Sequence, residues 1–459
     1  MAVVADLELA YEALKGKAQP YTQLWNYYNG NVPLVYSTAR LAKIFEKFDA
    51  RFSENWCGVV VDSVADRIEL LSLSSKGQEE SFKLLWDSCR LALVSDDVHE
   101  AALVCGEAFA IAWPNAQGVL RVFYNDPRLC HVFYDDEDPL TVRFAAKWYD
   151  ETSGEKKRRM TLYYPDRLEY YISSGKAENI SNAAAFVEYY LPKTNPYGEV
   201  PVFHFKPRRD VISDLENVIP LQDGINKLLA DMLVAAEFGA FKQRYIISGE
   251  DPGQLQSEPG MAWWFPTGDG VGQQTQVGEF QPADLGVYLN AIERLAVHVG
   301  VITRTPRHYL LQSGGDPSGE ALIAMEAPLN HKCMDYIERF TPTWKALGAF
   351  IARLSGMTVD ASDITPTFDD PETVQPRTEA EIRKINIDAG IPLVTTLKRE
   401  GWSDEEIKAM LKDRDEAASK QQANLASALV EAQRRQDQGG EEPGQPPTNE
   451  KQPMNEAQP

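Results

Sequence analysis

Cysteine is sparse and badly placed for cross-linking. The five residues Cys57, Cys89, Cys105, Cys130 and Cys333 are odd in number, widely spaced and without a Cys-x-x-Cys pair, which argues against a disulfide framework or a zinc site and predicts buried free thiols. Histidine is equally thin: none of His99, His131, His204, His298, His308 and His331 falls in a His-Glu-x-x-His pattern or a pair spaced for zinc, so no metal and no cofactor is predicted. No Gly-x-x-x-x-Gly-Lys-Ser/Thr occurs, so the chain should not hydrolyse ATP; Gly268-x-Gly270-x-Gly272 has the wrong spacing for a dinucleotide loop and reads as a turn. No run approaches ~20 consecutive apolar residues, and Met1 to Ala10 lacks the basic start and long apolar core of a signal peptide, so neither membrane insertion nor secretion is expected. Positive charge is the largest deficit. Lys and Arg number 46 against 68 Asp and Glu, a net charge of −22, which ordinarily disfavours tight binding to phosphate.

What is present is a chain of 459 residues with 43% hydrophobic content, enough for a sizeable core and at least two substructures. Residues 20–212 read as α+β. Leu41, Ile44, Phe45 and Phe48 form a helical stripe, and Val59 to Leu70 continues with helix-like spacing. Short strands are then expected at Phe109–Trp113, Leu120–Tyr124, Val132–Tyr134, Thr141–Tyr149, Met160–Tyr164, Leu168–Ile172 and Val202–Phe205, each ended by turn residues, as in a mainly antiparallel sheet.

The most informative stretch runs from Ser213 to Phe340. Ser213-Asp214-Leu215-Glu216 reads as a capping box opening a helix, with Leu221, Ile225, Leu228, Leu229, Met232 and Leu233 recurring on one face. Tyr245-Ile246-Ile247 and Met261 to Phe265 alternate with turn residues as in a small β hairpin. A second helix from about Asp284 to Gly300 carries Leu285, Leu289, Ile292, Leu295 and Val299. Thr303 to Pro317 is rich in Pro and Gly, unusually basic, and reads as a loop; Ser318 then caps a further helix that Pro328 should kink. Beyond it, a polar linker from Asp369 to Pro376 precedes two more capping boxes at Thr378–Glu381 and Ser403–Glu406, and Gly439 to Pro459 has the composition of a disordered tail.

These residues resemble the portal proteins of tailed bacteriophages, the head-to-tail connectors, in the branch common in siphovirus-type phages of actinobacteria. The resemblance lies in Pro220-Leu221-Gln222-Asp223-Gly224-Ile225-Asn226-Lys227, Gln243-Arg244-Tyr245-Ile246, Pro317-Ser318-Gly319-Glu320-Ala321-Leu322 and Glu326-Ala327-Pro328-Leu329, with Tyr27-Tyr28-Asn29-Gly30 and Asn55 to Asp62 upstream. It covers most of residues 20–350 and rests on the order and spacing of short motifs. It implies an α+β portal-like fold: an α/β wing (1–212), stem helices (213–240 and 282–302) around a small β clip (241–281), a channel loop (303–317), a kinked long helix returning to the wing (318–375), a helical crown (376–438) and the tail (439–459). It further implies a ring of about twelve copies at one capsid vertex of the virion, assembled in the host cytoplasm, through which double-stranded DNA is packaged and ejected. The partners implied are the chain itself, DNA, the terminase packaging motor, a head-completion or adaptor protein, and the major capsid and scaffolding proteins.

On that resemblance the channel loop would present Arg304, Arg307, His308, Tyr309 and Gln312 to DNA, although the basic groups suit salt bridges between copies almost as well. Trp263, Trp264 and Phe265 read as a local β core or as the clip's partner interface. Leu221, Ile225, Leu228, Leu229, Met232, Leu285, Leu289 and Ile292 would pack the stem. Lys156 to Arg159 is expected at a hairpin tip, and Lys206-x-Arg208-Arg209 to face neighbouring subunits or DNA. Two rival readings are a metal-dependent nuclease or hydrolase using Asp135, Asp136 and Asp138, whose clustered carboxylates are hard-oxygen ligands, and an intracellular scaffold without a channel.

Overall fold

The computed structural model describes residues 2–32, 54–115, 117–240, 244–247, 276–279, 283–311, 318–372, 376–399, 402 and 404–437. The helical stripe at Leu41 to Phe48, the strand at Met261 to Phe265 and the tail therefore lie outside the described residues. The chain divides into two units, Met1–Thr373 and Val374–Pro459.

In the first unit, α1 (Ala2–Tyr28) lies on an antiparallel sheet of β4 (Cys130–Tyr134), β5 (Val142–Asp150), β6 (Lys157–Tyr163), β7 (Arg167–Lys176) and β8 (Phe186–Thr194), in that spatial order. Their shared core sets Leu7, Ala10, Tyr11 and Leu14, an i, i+3, i+4, i+7 stripe, against Phe144, Trp148, Met160 and Leu162. Consecutive strands give this meander; β4 to β7 fall where the sequence predicts strands, whereas β8, reached through a longer connection from β7, is not among the predicted ones. A three-stranded sheet, β3 (Leu120–Asn125), β2 (Ala108–Pro114) and β9 (Val202–Phe205), packs on α4 (Leu91–Cys105), whose residues Ala101 to Val104 are wholly buried. All five cysteines are free and buried, as expected.

Several predicted elements are corrected. The helix expected from Val59 through Leu70 ends early: α2 (Trp56–Ala65) gives way to a turn, and β1 (Leu70–Ser75) pairs antiparallel with β12 (Ile364–Phe368). The partner strand is far away in sequence, so no local pattern announces it. Between β1 and α4 the chain forms α3 (Glu79–Cys89). The helix predicted to open at Ser213 instead begins as α5 (Ile219–Ala240), with Pro220 in its first turn. Ser213 is not its cap: its hydroxyl donates to the Val104 carbonyl at 2.5 Å and accepts from the Leu215 amide at 3.0 Å.

After α5, β10 (Arg244–Ile247) pairs antiparallel with β11 (Gln276–Glu279), and α6 (Leu285–Thr303) follows, capped by Asp284. The Pro/Gly stretch is not all loop: one helical turn, α7 (Arg307–Leu310), lies within it. α8 (Gly319–Leu354) is capped by Ser318, which accepts from the Ala321 amide at 3.3 Å, and the helix continues through both Pro328 and Pro342. Its second half carries three of the largest fully buried side chains, Phe340, Trp344 and Phe350. In the second unit, α9 (Pro376–Asp388), α10 (Leu393–Arg399) and α11 (Asp404–Asp437) follow in turn. α9 starts two residues before the expected cap Thr378, because Pro376 has the fixed φ that suits a first helical position.

Gly106 closes α4 at φ +82°, and a Cβ there would lie 2.7 Å from the backbone N and C of Ile212. Backbone cannot move aside as a side-chain tip can. Gly106→Ala should therefore cost at least ~1–3 kcal/mol, from left-handed strain alone, read as a lowered midpoint in denaturant unfolding; an unchanged midpoint would show that the 212 segment is free to retreat.

Candidate functional site

The sequence motifs converge on one end of α2. Gln222 is buried, and its side chain accepts from the Trp56 amide at 3.0 Å and donates to the Glu54 carbonyl at 2.5 Å and to Asn226 Oδ1 at 3.1 Å. Tyr27 donates to Asp223 at 2.8 Å and Tyr28 to Asp62 at 2.9 Å, while Asn55 caps α2 and donates to the Tyr28 carbonyl at 2.6 Å. Three segments far apart in sequence thus share one hydrogen-bonded knot, and α5 is anchored by amide chemistry as much as by its leucines.

That shifts the inward faces of the helix pair. On α5 the buried residues are Gln222, Ile225, Asn226 and Ala230, with Leu221, Leu228, Leu229 and Met232 only half-buried. On α6 they are Ile292, Ala296, Val299, Gly300 and Thr303; Leu285 is half-buried and Leu289 is 50% exposed, off the predicted inward stripe. The reason is the close approach at the end of α6, where a Cβ on Gly300 would lie 2.9 Å from the Thr305 carbonyl. Rotating toward that corner leaves Val287, Val301 and Ile302 exposed.

Two buried carboxylates hold the corner. Asp214 Oδ1 accepts from Arg208 at 2.5 Å and from the Tyr336 hydroxyl at 2.7 Å, and its Oδ2 lies 2.7 Å from Lys332 Nζ, which also donates to the Thr303 carbonyl at 3.3 Å. This joins the segment before α5, the end of α6 and the middle of α8. Glu326, in the first half of α8, lies 3.3 Å from Arg67 and 3.4 Å from His308 Nε2, and Arg67 also donates to Asn330 at 2.5 Å and to the Tyr309 hydroxyl at 2.7 Å. Sequence reasoning passed over Asp214, Lys332, Arg67 and Gln222; Asp214 stood inside the predicted capping box and Gln222 inside a quoted portal motif, neither with a role of its own.

The predicted loop residues separate. Arg304 is the left-handed C-cap of α6 and exposed; Arg307 is exposed at the start of α7; His308 and Tyr309 turn toward Glu326 and Arg67. Gln312, Trp263, Trp264 and Phe265 lie outside the described residues. Beside Arg304 opens a cleft of about 960 Å³ whose cations are Lys206, Arg208, Arg209, Arg304, Lys332 and Arg339, against only Asp335 and Glu338. The Lys206-x-Arg208-Arg209 cluster thus meets Arg304 and α8 at one place.

Elsewhere, Glu107 is buried with Tyr21 donating at 2.6 Å, Lys17 at 2.5 Å and His204 Nε2 2.9 Å away. Burial acts to raise its pKa, but these partners outweigh it and hold the carboxyl well below the usual range. Burial pushes the His99 imidazole down to about 3, and burial with the nearby Lys17 does the same to His131. The acidic turn is no ready-made metal cage: Asp135 accepts from the amides of Glu137 and Asp138, and Asp138 from the Leu140 amide and the Thr141 hydroxyl. Among the described residues no group of three or more His, Cys, Asp or Glu is placed to hold a metal ion.

The sequence family described as phage portal protein, SPP1 Gp6-like, matches residues 12–420. The chain belongs to that phage portal protein family. Curated relatives include the portal protein of Mycobacterium phage D29, 26% identical over 344 residues (68% of this chain and 67% of that one), and the portal protein of Mycobacterium phage L5, 24% identical over 347 residues (68% and 66%). The alignments thus span about two thirds of each relative. Among solved structures, the neck of a native gene transfer agent particle with C12 symmetry superposes with a TM-score of 0.44 at 12% identity, covering 82% of this chain and 94% of that one. The neck of an empty particle with C6 symmetry gives 0.42 at 12% identity, covering 76% and 89%. The quoted portal motifs all fall within the matched residues.

Removing one member of the Asp214 group leaves Lys332 as a buried, uncompensated cation. Asp214→Asn should cost about 3–5 kcal/mol, measured by denaturant unfolding, and the packed double variant Asp214→Leu/Lys332→Met should recover most of it; equal losses in both would point to shape rather than charge. Acid provides a second check. Because the folded pKa of His99 lies below the unfolded value near ~6.5, the unfolded state binds more protons between the two, so stability is full above ~6.5 and falls as pH drops toward 3. His99→Gln should make the acid-side fall in stability shallower by up to one proton equivalent, and an unaltered slope would assign the fall to other groups.

Proposed function

We propose that this portal-family chain is the subunit of a ring-shaped channel at one capsid vertex, conducting double-stranded DNA during packaging and ejection and docking the packaging motor and the head-tail connector proteins. The single observation carrying this is the family match across residues 12–420, which spans the helix pair, the corner and α8 together. In this reading residues 1–212 form the wing, α5 and α6 the stem, 241–281 the clip, 303–317 the channel loop and 376–438 the crown. Twelve copies is the number we favour. The role is structural rather than catalytic, with the energy of packaging supplied by a separate motor, since the sequence carries no phosphate loop of its own.

The geometry is compatible with that role in two respects. α6 is by length and composition apolar enough to cross a bilayer, the one such helix among the described residues, yet it carries Glu293, Arg294 and His298 mid-length and seats Ile292, Ala296 and Val299 in the core. Its remaining exposed apolar groups suit burial against copies of itself better than against lipid. The net charge of −22 suits a wall that repels phosphate and lets the duplex slide, with Arg307, His308 and Gln312 making brief contacts in the bore and Arg304 and Tyr309 turned to contacts between copies. Trp263, Trp264 and Phe265 are the residues we assign to partner docking at the clip.

Electron microscopy and native mass measurement of the purified full-length chain test the reading: closed rings with a central hole and only weak, salt-sensitive duplex affinity are expected. Compact monomers that stay monomeric with capsid and scaffolding partners present, or tight sequence-independent DNA binding by the ring, would sink it.

A further inference from the structure

Copies that each carry a charge of −22 repel one another, so a ring of them needs local contacts where cation faces anion. A cyclic ring is also head-to-tail: each copy must present two different, mutually complementary patches. The first unit presents such a pair on either side of the turn between α6 and α7.

One patch is the cation-rich cleft. Arg208 and Lys332 are engaged by Asp214, but Arg209, Arg304 and Arg339 are exposed and have no carboxylate partner among the described residues. Three exposed guanidinium forks around one cavity form a ready set of donors to carboxylate or phosphate oxygens. The cleft's lip decides between these. Ile302 lines it, 49% exposed, and Val301 beside it is 71% exposed. An apolar pair bordering unpaired charge is the make-up of a protein contact, and a phosphodiester backbone offers it nothing. Asp335 and Glu338 in the cleft wall weigh further against a polyanion.

The other patch is a smaller cleft of about 380 Å³, whose lining includes Asp66, Tyr309, Asp369, Asp370 and Glu372. The four carboxylates are exposed and show no ion pair among the described residues, and the one cation there, Arg67, is already engaged with Glu326. Arg304 borders the first cleft and Tyr309 the second, so one short corner, pinned through Lys332 and Glu326, positions both.

We propose that the Arg209, Arg304 and Arg339 cleft of one copy receives the Asp66, Asp369, Asp370 and Glu372 surface of the next, an ionic joint that sets the head-to-tail order of the ring. The joint rests on the ring reading above. Ring formation by the unaltered chain checks that reading first; if it forms no rings under any condition, the joint falls with it. Where rings form, the full chain carrying Arg209→Glu, Arg304→Glu and Arg339→Glu should lose them at least tenfold by native mass measurement while keeping its circular dichroism and melting temperature, since all three side chains are exposed. The chain carrying Asp66→Lys, Asp369→Lys and Asp370→Lys should behave alike, and the chain carrying all six reversals should regain rings. Rings at the unaltered level in either triple variant overturn the joint. So does a folded six-fold variant that stays monomeric, or a cleft variant whose rings persist while duplex affinity falls, which would give the cleft to phosphate.

Discussion

A carboxylate taken out of water has to meet a cation and donors in good geometry, or it is protonated or the fold opens. Asp214 is the position where this portal-family chain depends most on that constraint. It stands in the segment between β9 and α5, and its partners Arg208, Lys332 and Tyr336 come from that same segment and from α8. Lys332 in turn holds the Thr303 carbonyl at the end of α6. Through one side chain the two helices of the hairpin-like pair and the long helix are fixed to one another. The rotation of α6 set by the Gly300 approach to Thr305, which exposes Val301 and Ile302, is held in place by it, as is the position of Arg304 on the cleft.

The same device recurs with different chemistry on either side. Glu326 collects Arg67, His308 and Tyr309, so the turn that begins exposed at Arg304 finishes tethered. Gln222 and Asn226 do with amides at the start of α5 what Asp214 does with charge. Polar groups on helix faces that periodicity assigns to leucine give each helix a single rotational setting, because a one-residue turn would leave them buried without partners. Apolar burial alone tolerates such slippage more readily.

This explains the pattern of agreement between sequence and structure. The antiparallel meander from Cys130 to Lys176 was legible because each strand pairs with its neighbour in the chain and the turns are written locally, whereas its last strand, β8, was missed. The ends of α6 at Asp284 and of α8 at Ser318 were legible because caps are local too. β1 was not, since its partner β12 lies on the far side of the molecule's sequence, and Ser213 was misread because a capping pattern cannot show that the residue after it is needed elsewhere as a counter-charge. At the candidate site, Arg304 and the Lys206 to Arg209 cluster were visible as basic groups, but their meeting in one cleft was not.

Taken by itself, the sequence determined the run of strands from Ala108 to Lys176, the order of helix, hairpin and helix from α5 through α8, the free buried thiols, the lack of nucleotide-binding and metal-binding signatures, and, through short motifs in a fixed order, membership of the portal family. Each depends on composition or on residues within a few positions of one another. The tertiary structure alone decided which faces of α5 and α6 turn inward, which cations remain unpaired, and that Tyr27, Trp56 and Gln222 share one knot. Those outcomes depend on pairing between residues far apart in the chain, and a buried charge or amide chooses its partner by geometry that no local spacing encodes.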